Sequence, residues 1–271
     1  MRSLVVERLA KIKSAGIAAG QIAGRMLFPP TCLGCRRIVA EGGTLCASCW
    51  GDIHFLDEPW CAVSGVPFAH DMGAGAISPA VMATPPAYDR SRAAVAYDGA
   101  ARRLAQSLKY QDRTDLAPWL AGWMVRAGRD LIDRADLLVP VPLHRQRFFT
   151  RRFNQSAELA RAIARQTGKK YGAEVVIRIK KTRQQVGLKA KERQDNVRAA
   201  FVVPDGSKPL IAGKHVCIVD DVYTTGATVS ALARCLRRAG AAEISVLTFA
   251  RVLPADFRRS GDFRRALPEP I

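Results

Sequence analysis

The sequence contains no apolar run near the roughly 18 residues that a spanning helix needs, which argues against an integral membrane protein. It also lacks the apolar stretch of a secretory signal, because Glu7, Arg8, Lys11 and Lys13 interrupt its N-terminal region, and a cytoplasmic, reducing location is expected. It is short of acid: 24 Asp and Glu stand against 42 Lys and Arg, a net charge of +18. Such a chain selects anionic partners, whether phosphorylated small molecules, nucleic acid or an anionic membrane surface. It does not lack apolar residues. At 48% hydrophobic and 24% charged it is not wholesale disordered. Its 271 residues fit one large domain, or one domain with a small module.

The charge is uneven. Residues 143–200 hold 16 Lys or Arg against 4 Asp or Glu, a net of +12, so two thirds of the excess sits in one segment. A merely solubilising surface mixes signs, and this one reads as an anion-binding face.

The 7 cysteines are uneven too: 5 lie between 32 and 61. Cys32-Leu-Gly-Cys35 and Cys46-Ala-Ser-Cys49 are two Cys-x-x-Cys turns. Each turn brings two thiolates to one metal, and together they supply the four sulfurs of a closed tetrahedral Zn2+ site. A closed site leaves no open position, so its role is structural. Cys61 has Ser64, not a second cysteine, at the matching offset, and reads as a small buried residue. Cys217 and Cys235 lie in apolar patterns and read as core.

Organisation follows from periodicity and breakers. Residues 1–28 read as an N-terminal helix ended by Pro29-Pro30, 29–64 as the zinc ribbon and 65–90 as a Gly/Pro/Ala-rich linker. Helical patterns cover 99–111, 115–132, 154–167 (Asn154 as N-cap, Gly168 as terminator) and 227–239. Strand patterns cover 136–142, 174–179, 199–203, 216–219 and 244–249. This alternation over 91–252 gives an α/β fold with a mainly parallel sheet flanked by helices. Residues 253–271 read as a loosely ordered tail.

The densest chemistry is Val216-Cys-Ile-Val-Asp220-Asp221-Val-Tyr-Thr224-Thr225-Gly226-Ala227-Thr228. Four apolar residues bury a strand, and two carboxylates stand at its carboxyl end, where open α/β sheets bind ligands. A loop of hydroxyls and glycine then opens a helix, whose first N–H groups suit a phosphate monoester. The carboxylates suit ribose hydroxyls and, through water, Mg2+.

This segment resembles the phosphoribosyl-pyrophosphate (PRPP) signature of type I phosphoribosyltransferases. The wider chain resembles the ComF family, in which an N-terminal zinc ribbon precedes such a domain. Further matching text is Leu108-Lys109-Tyr110, Val139-Pro-Val-Pro142, Arg147 and Arg151 before Phe153-Asn154-Gln155, then Gln185, Arg193, Asn196 and Phe201. The resemblance implies a type I phosphoribosyltransferase-like fold. It implies that Asp220 and Asp221 hold the ribose diol and that Thr224, Thr225, Gly226, Ala227 and Thr228 hold the 5-phosphate. Arg147, Arg151 and Arg152 lie on the pyrophosphate side or contact DNA. Family members are linked to DNA uptake during natural transformation.

Two departures stand out. Arg152 replaces the glycine that the family places before Phe-Asn-Gln. Many members carry a second pair of knuckles, but Ser64 replaces one ligand here and 65–90 holds no Cys-x-x-Cys, so one zinc site is expected. Three functions stay open: a PRPP-binding protein acting in competence-related DNA uptake or processing, an active PRPP-dependent transferase, or a single-stranded DNA-binding adaptor that contacts DNA-uptake proteins. For the last, Phe148, Phe149 and Phe153 interleave with Arg145, Arg147, Arg151 and Arg152 as stacking platforms do. No general base and no base-recognition hood are identifiable.

Overall fold

The computed structural model describes residues 28–143, 153–179 and 200–253. The expected N-terminal helix, the tail and Arg147, Arg151 and Arg152 lie outside them. The chain divides into two compact units, residues 1–51 and 52–271.

In the first unit a tight knuckle forms around Cys32. Its N–H donates to the Arg37 carbonyl at 2.7 Å, and its carbonyl accepts from the Arg36 N–H at 3.0 Å. Thr31 bridges Ile38 in antiparallel fashion. The short helix α1 (Ala47–Gly51) follows Cys46 and carries Cys49. Gly34 has a packing reason: a Cβ there would lie 3.2 Å from the Cys49 sulfur.

The second unit opens with α2 (Pro79–Ala83), inside the stretch that composition alone reads as linker. Then come β1 (Arg90–Ala96), α3 (Gly99–Tyr110), α4 (Ala117–Ala127), α5 (Arg129–Arg134) and β2 (Leu137–Pro140). After these lie α6 (Gln155–Thr167), β3 (Lys170–Tyr171), β4 (Ile177–Arg178), β5 (Phe201–Val202), β6 (His215–Tyr223), α7 (Ala227–Arg238) and β7 (Glu243–Arg251). The main sheet runs β1-β7-β6-β2-β3, and every pair in it is parallel. β4 and β5 form a separate antiparallel pair.

The central strands are apolar on both faces because both faces are covered. Val216 and Ile218 of β6 pack with Ile244 and Val246 of β7 against Val229, Leu232 and Leu236 of α7. Cys217 and Val219 alternate to the opposite face and are wholly buried. Burial pushes the Cys217 thiol up to about 12, so this cysteine is inert core.

Several expectations are met in detail. Asn154 caps α6 by accepting the Ser156 N–H at 3.1 Å, and Gly168 ends that helix at φ +71°. Two boundaries differ. The helical pattern over 115–132 is cut at Gly128, whose backbone leaves helical geometry at φ −113° and ψ 24°; a Cβ there would lie 2.5 Å from a Leu247 methyl, so glycine also suits the packing. β6 runs on past Val219 to Tyr223, carrying Asp220 and Asp221 inside the strand, with Asp220 in register with Thr248 and Val222 with Ala250.

Candidate functional site

The two carboxylates at the end of β6 are held in different ways. Asp220 Oδ1 accepts the Ser156 hydroxyl at 2.8 Å and the Asp221 N–H at 2.9 Å. Asp221 Oδ1 accepts the Val222 N–H at 2.8 Å, and its Oδ2 pairs with Lys109 Nζ at 3.0 Å. Ser156 stands in the first turn of α6, and Lys109 in the last turn of α3, so three elements converge on the strand end. Gln155 Nε2 approaches the Lys109 carbonyl at 3.4 Å. The Asn154 amide donates to the Val141 carbonyl at 3.0 Å, tying the start of α6 to the end of β2.

Electrostatics separate the pair. Burial and the neighbouring Asp221 charge push Asp220 up to about 7, outweighing the Ser156 hydroxyl, Lys109 and the Asp221 N–H. Burial beside Asp221 thus disfavours a full charge on Asp220, and an added cation or hydroxyl donors at this strand end would relieve that penalty. The donor set fits a hydrated Mg2+ brought in with a polyanionic ligand.

The loop after Tyr223 turns directly into α7. Thr224 and Thr225 are exposed, whereas Gly226 is buried, sits at φ +74° and occupies the N-cap position. A side chain at Gly226 would strike the Tyr223 hydroxyl, so glycine is required both by conformation and by space. Thr225, Gly226, Ala227 and Thr228 thus lead straight into the first turn of a 12-residue helix, whose N-terminal amides favour an anion.

The four cysteines of the first unit come together as expected. The ligand sulfurs of Cys32, Cys35, Cys46 and Cys49 all lie within 4.8 Å of one another. Cys35 and Cys46 sulfurs are 3.6 Å apart, close to the ~3.8 Å edge of a tetrahedron with Zn–S bonds of ~2.3 Å. Burial raises the Cys32 thiol's pKa, but N–H donors from Cys46, Cys35 and Gly34 bring it down to about 6, favouring the thiolate that zinc binds. Among the described residues no other group of three or more candidate ligands assembles, and His70 and Asp71 join none.

Comparison with known proteins agrees with both parts. The double zinc ribbon domain matches residues 23–78 and the phosphoribosyl transferase domain matches residues 154–264. The DNA utilization protein YhgH of Escherichia coli (strain K12) is 30% identical over 237 residues, covering 84% of this chain and 100% of that protein. The chain belongs to the ComF family. Competence protein F of Haemophilus influenzae is 33% identical over 153 residues, 55% of this chain and 66% of that protein. Competence protein ComFC of Bacillus subtilis is 32% identical over 120 residues, 44% of this chain and 46% of that protein.

As a ComF-family site, the cluster holds residues that sequence reasoning did not assign. Lys109 lies in the quoted Leu108-Lys109-Tyr110 text, and Ser156 directly follows Asn154-Gln155. The Lys109 text pointed at the family and Ser156 was not singled out; neither residue showed that it would meet a carboxylate across the fold. Tyr223, Tyr88 and Arg251 form a third layer. The two tyrosine hydroxyls are 2.9 Å apart, and the Arg251 guanidinium lies 4.0 Å from the Tyr223 ring centre. Among the described residues no helix is long and apolar enough to cross a membrane.

Proposed function

We propose that the end of β6 binds PRPP or another 5-phosphorylated ribose ligand with Mg2+. Asp220 and Asp221 would receive the ribose hydroxyls. Thr224, Thr225, Gly226, Ala227 and Thr228 would hold the phosphate at the start of α7. One observation carries this reading: two carboxylates of one strand, one tied to Ser156 and the other to Lys109, stand immediately before a glycine-capped helix. Bound Mg2+ would supply positive charge for the pyrophosphate. The chain's own task is positioning. Ser156 and the local N–H groups orient one oxygen of each acid, and the incoming ligand displaces Lys109 from Asp221. The released ammonium then faces an anionic ligand. Arg147, Arg151 and Arg152 are proposed for the pyrophosphate side.

The names of the relatives support a role in the uptake or use of DNA, and the net +12 of residues 143–200 supports contact with a polyanion. The structural zinc at Cys32, Cys35, Cys46 and Cys49 would fix the first unit.

Calorimetry with PRPP and Mg2+ tests the site. The wild type binds, and the Asp220→Asn/Asp221→Asn double variant loses binding while keeping its circular dichroism; equal affinity in both refutes the assignment. For the DNA reading, affinity for single-stranded DNA falls steeply as salt rises, and a flat response removes the 143–200 segment from that role.

A further inference from the structure

The backbone around Cys61 repeats the backbone around Cys32, element by element. Thr31 bridges Ile38, and Trp60 bridges Pro67. The Cys32 N–H donates to the Arg37 carbonyl at 2.7 Å, and the Cys61 N–H donates to the Val66 carbonyl at 2.8 Å. Val39 N–H meets the Pro30 carbonyl, and Phe68 N–H meets the Pro59 carbonyl. Leu33 N–H meets Thr44, and Ala62 N–H meets Ala76. The Cys32 sulfur accepts the Cys46 N–H at 3.2 Å, and the Cys61 sulfur accepts the Ser78 N–H at 3.3 Å. The short helix α1 follows Cys46, and α2 follows Ser78. This register places Cys61, Ser64, Ser78 and Val81 where the first ribbon has Cys32, Cys35, Cys46 and Cys49.

Three of the four sulfurs are thus replaced, yet the fold persists. Cys61 is wholly buried and accepts the Ser64 N–H at 3.5 Å. Its sulfur thus accepts backbone N–H groups from both replaced positions, Ser64 and Ser78. The knuckle is pinned to the sheet. Ser91 N–H donates to the Val63 carbonyl at 2.7 Å, and Gly65, at φ +66°, lies so close to the Ser91 carbonyl that a side chain would strike it. The preceding residues 54–56 line the same edge of β1, with Leu56 N–H on Ala94 and Ala96 N–H on His54.

The pinned knuckle reaches the phosphate loop. Arg251 is buried, and its Nη1 donates to the Ser64 carbonyl at 2.6 Å. Its guanidinium lies against the Tyr223 ring, and Tyr223 fills the space beside Gly226. We propose that this second ribbon works without metal, as a buttress of the 224–228 loop, with Arg251 as the positioning residue that transmits its support. The function of that loop rests on the PRPP-binding reading above; the buttress itself does not.

The test separates the two. Hydrogen exchange is measured at residues 224–229 in the wild type, Arg251→Met and Arg251→Lys, with zinc content read by emission spectrometry. The expected result is one zinc per chain in all three. Loop exchange accelerates at least tenfold in Arg251→Met and less in Arg251→Lys, which keeps a donor for Ser64 but loses the planar face, while exchange at residues 30–49 is unchanged. Wild-type loop exchange in a soluble, folded Arg251→Met or Arg251→Lys protein overturns the positioning role. Two zinc ions per wild-type chain overturn the metal-free ribbon. PRPP affinity is measured alongside: if the wild type does not bind PRPP, the ligand reading falls and the exchange result still decides the buttress.

Discussion

Two ribbons with the same backbone are stabilised in different ways. In residues 30–49 four sulfurs within 4.8 Å gather around a metal position, and the apolar interior is small. In residues 59–83 one sulfur and two serines remain, and the fold leans on the β1 edge and on Arg251. A ribbon alone is too small to bury a core that offsets its chain entropy, so it needs an external staple. Zinc is one staple; an adjoining sheet is another. Ligand loss at Ser64, Ser78 and Val81 is therefore compatible with an intact fold only where the sheet supplies what the metal did.

The comparison can be broken at its strongest point first. Removing zinc, by chelation or by Cys46→Ser, takes away binding energy on the order of 10–16 kcal/mol for a structural site. Limited proteolysis is expected to cut within residues 30–49 and to spare 59–83. Next comes matched substitution of the two first-knuckle cysteines. Cys32→Ser should abolish stoichiometric zinc, whereas Cys61→Ser keeps an acceptor for the Ser64 and Ser78 N–H groups and should cost only about 1 kcal/mol in urea unfolding. Gly65→Ala places a side chain against the Ser91 carbonyl at positive φ and should cost about 1–3 kcal/mol while zinc content stays at the wild-type value.

The smallest effect lies at the site that the second ribbon supports. Asp220 is pushed up to about 7, above the ~3.9 of an unfolded aspartate, so the folded state holds this proton more tightly. The stability this contributes is fully present below about pH 4 and is lost as pH rises through about 7. Asp220→Asn should therefore flatten the pH dependence of Tm across that window and raise stability at pH 8 by on the order of 1 kcal/mol. A variant as pH-sensitive as the wild type would contradict the burial argument.

Much of this was legible in the residues. Continuous apolar runs gave β2, β6 and β7, and Asn154 and Gly168 marked both ends of α6, because these signals are local. The four-cysteine site was legible because ligand spacing is chemistry written directly in sequence. β1 was not, since Arg90-Ser91-Arg92 reads as polar surface. Arg92 is buried only because Asp130 at 3.0 Å, the Ser91 and Ala62 carbonyls and the Trp60 ring meet it there. Lys109 and Ser156 were visible as residues, but their meeting with Asp221 and Asp220 depends on three elements converging. The second ribbon was legible in part: the resemblance pointed to Cys61 and Ser64, but Ser78 and Val81 have changed type too, so its second half shows only in backbone hydrogen bonds.

The most direct test of this account is amide hydrogen exchange across the chain with zinc bound and after its removal. The account predicts that protection collapses at residues 32–39 and persists at 61–68 and at 224–229. Loss of protection in both ribbons together would show that metal holds both, and would contradict it.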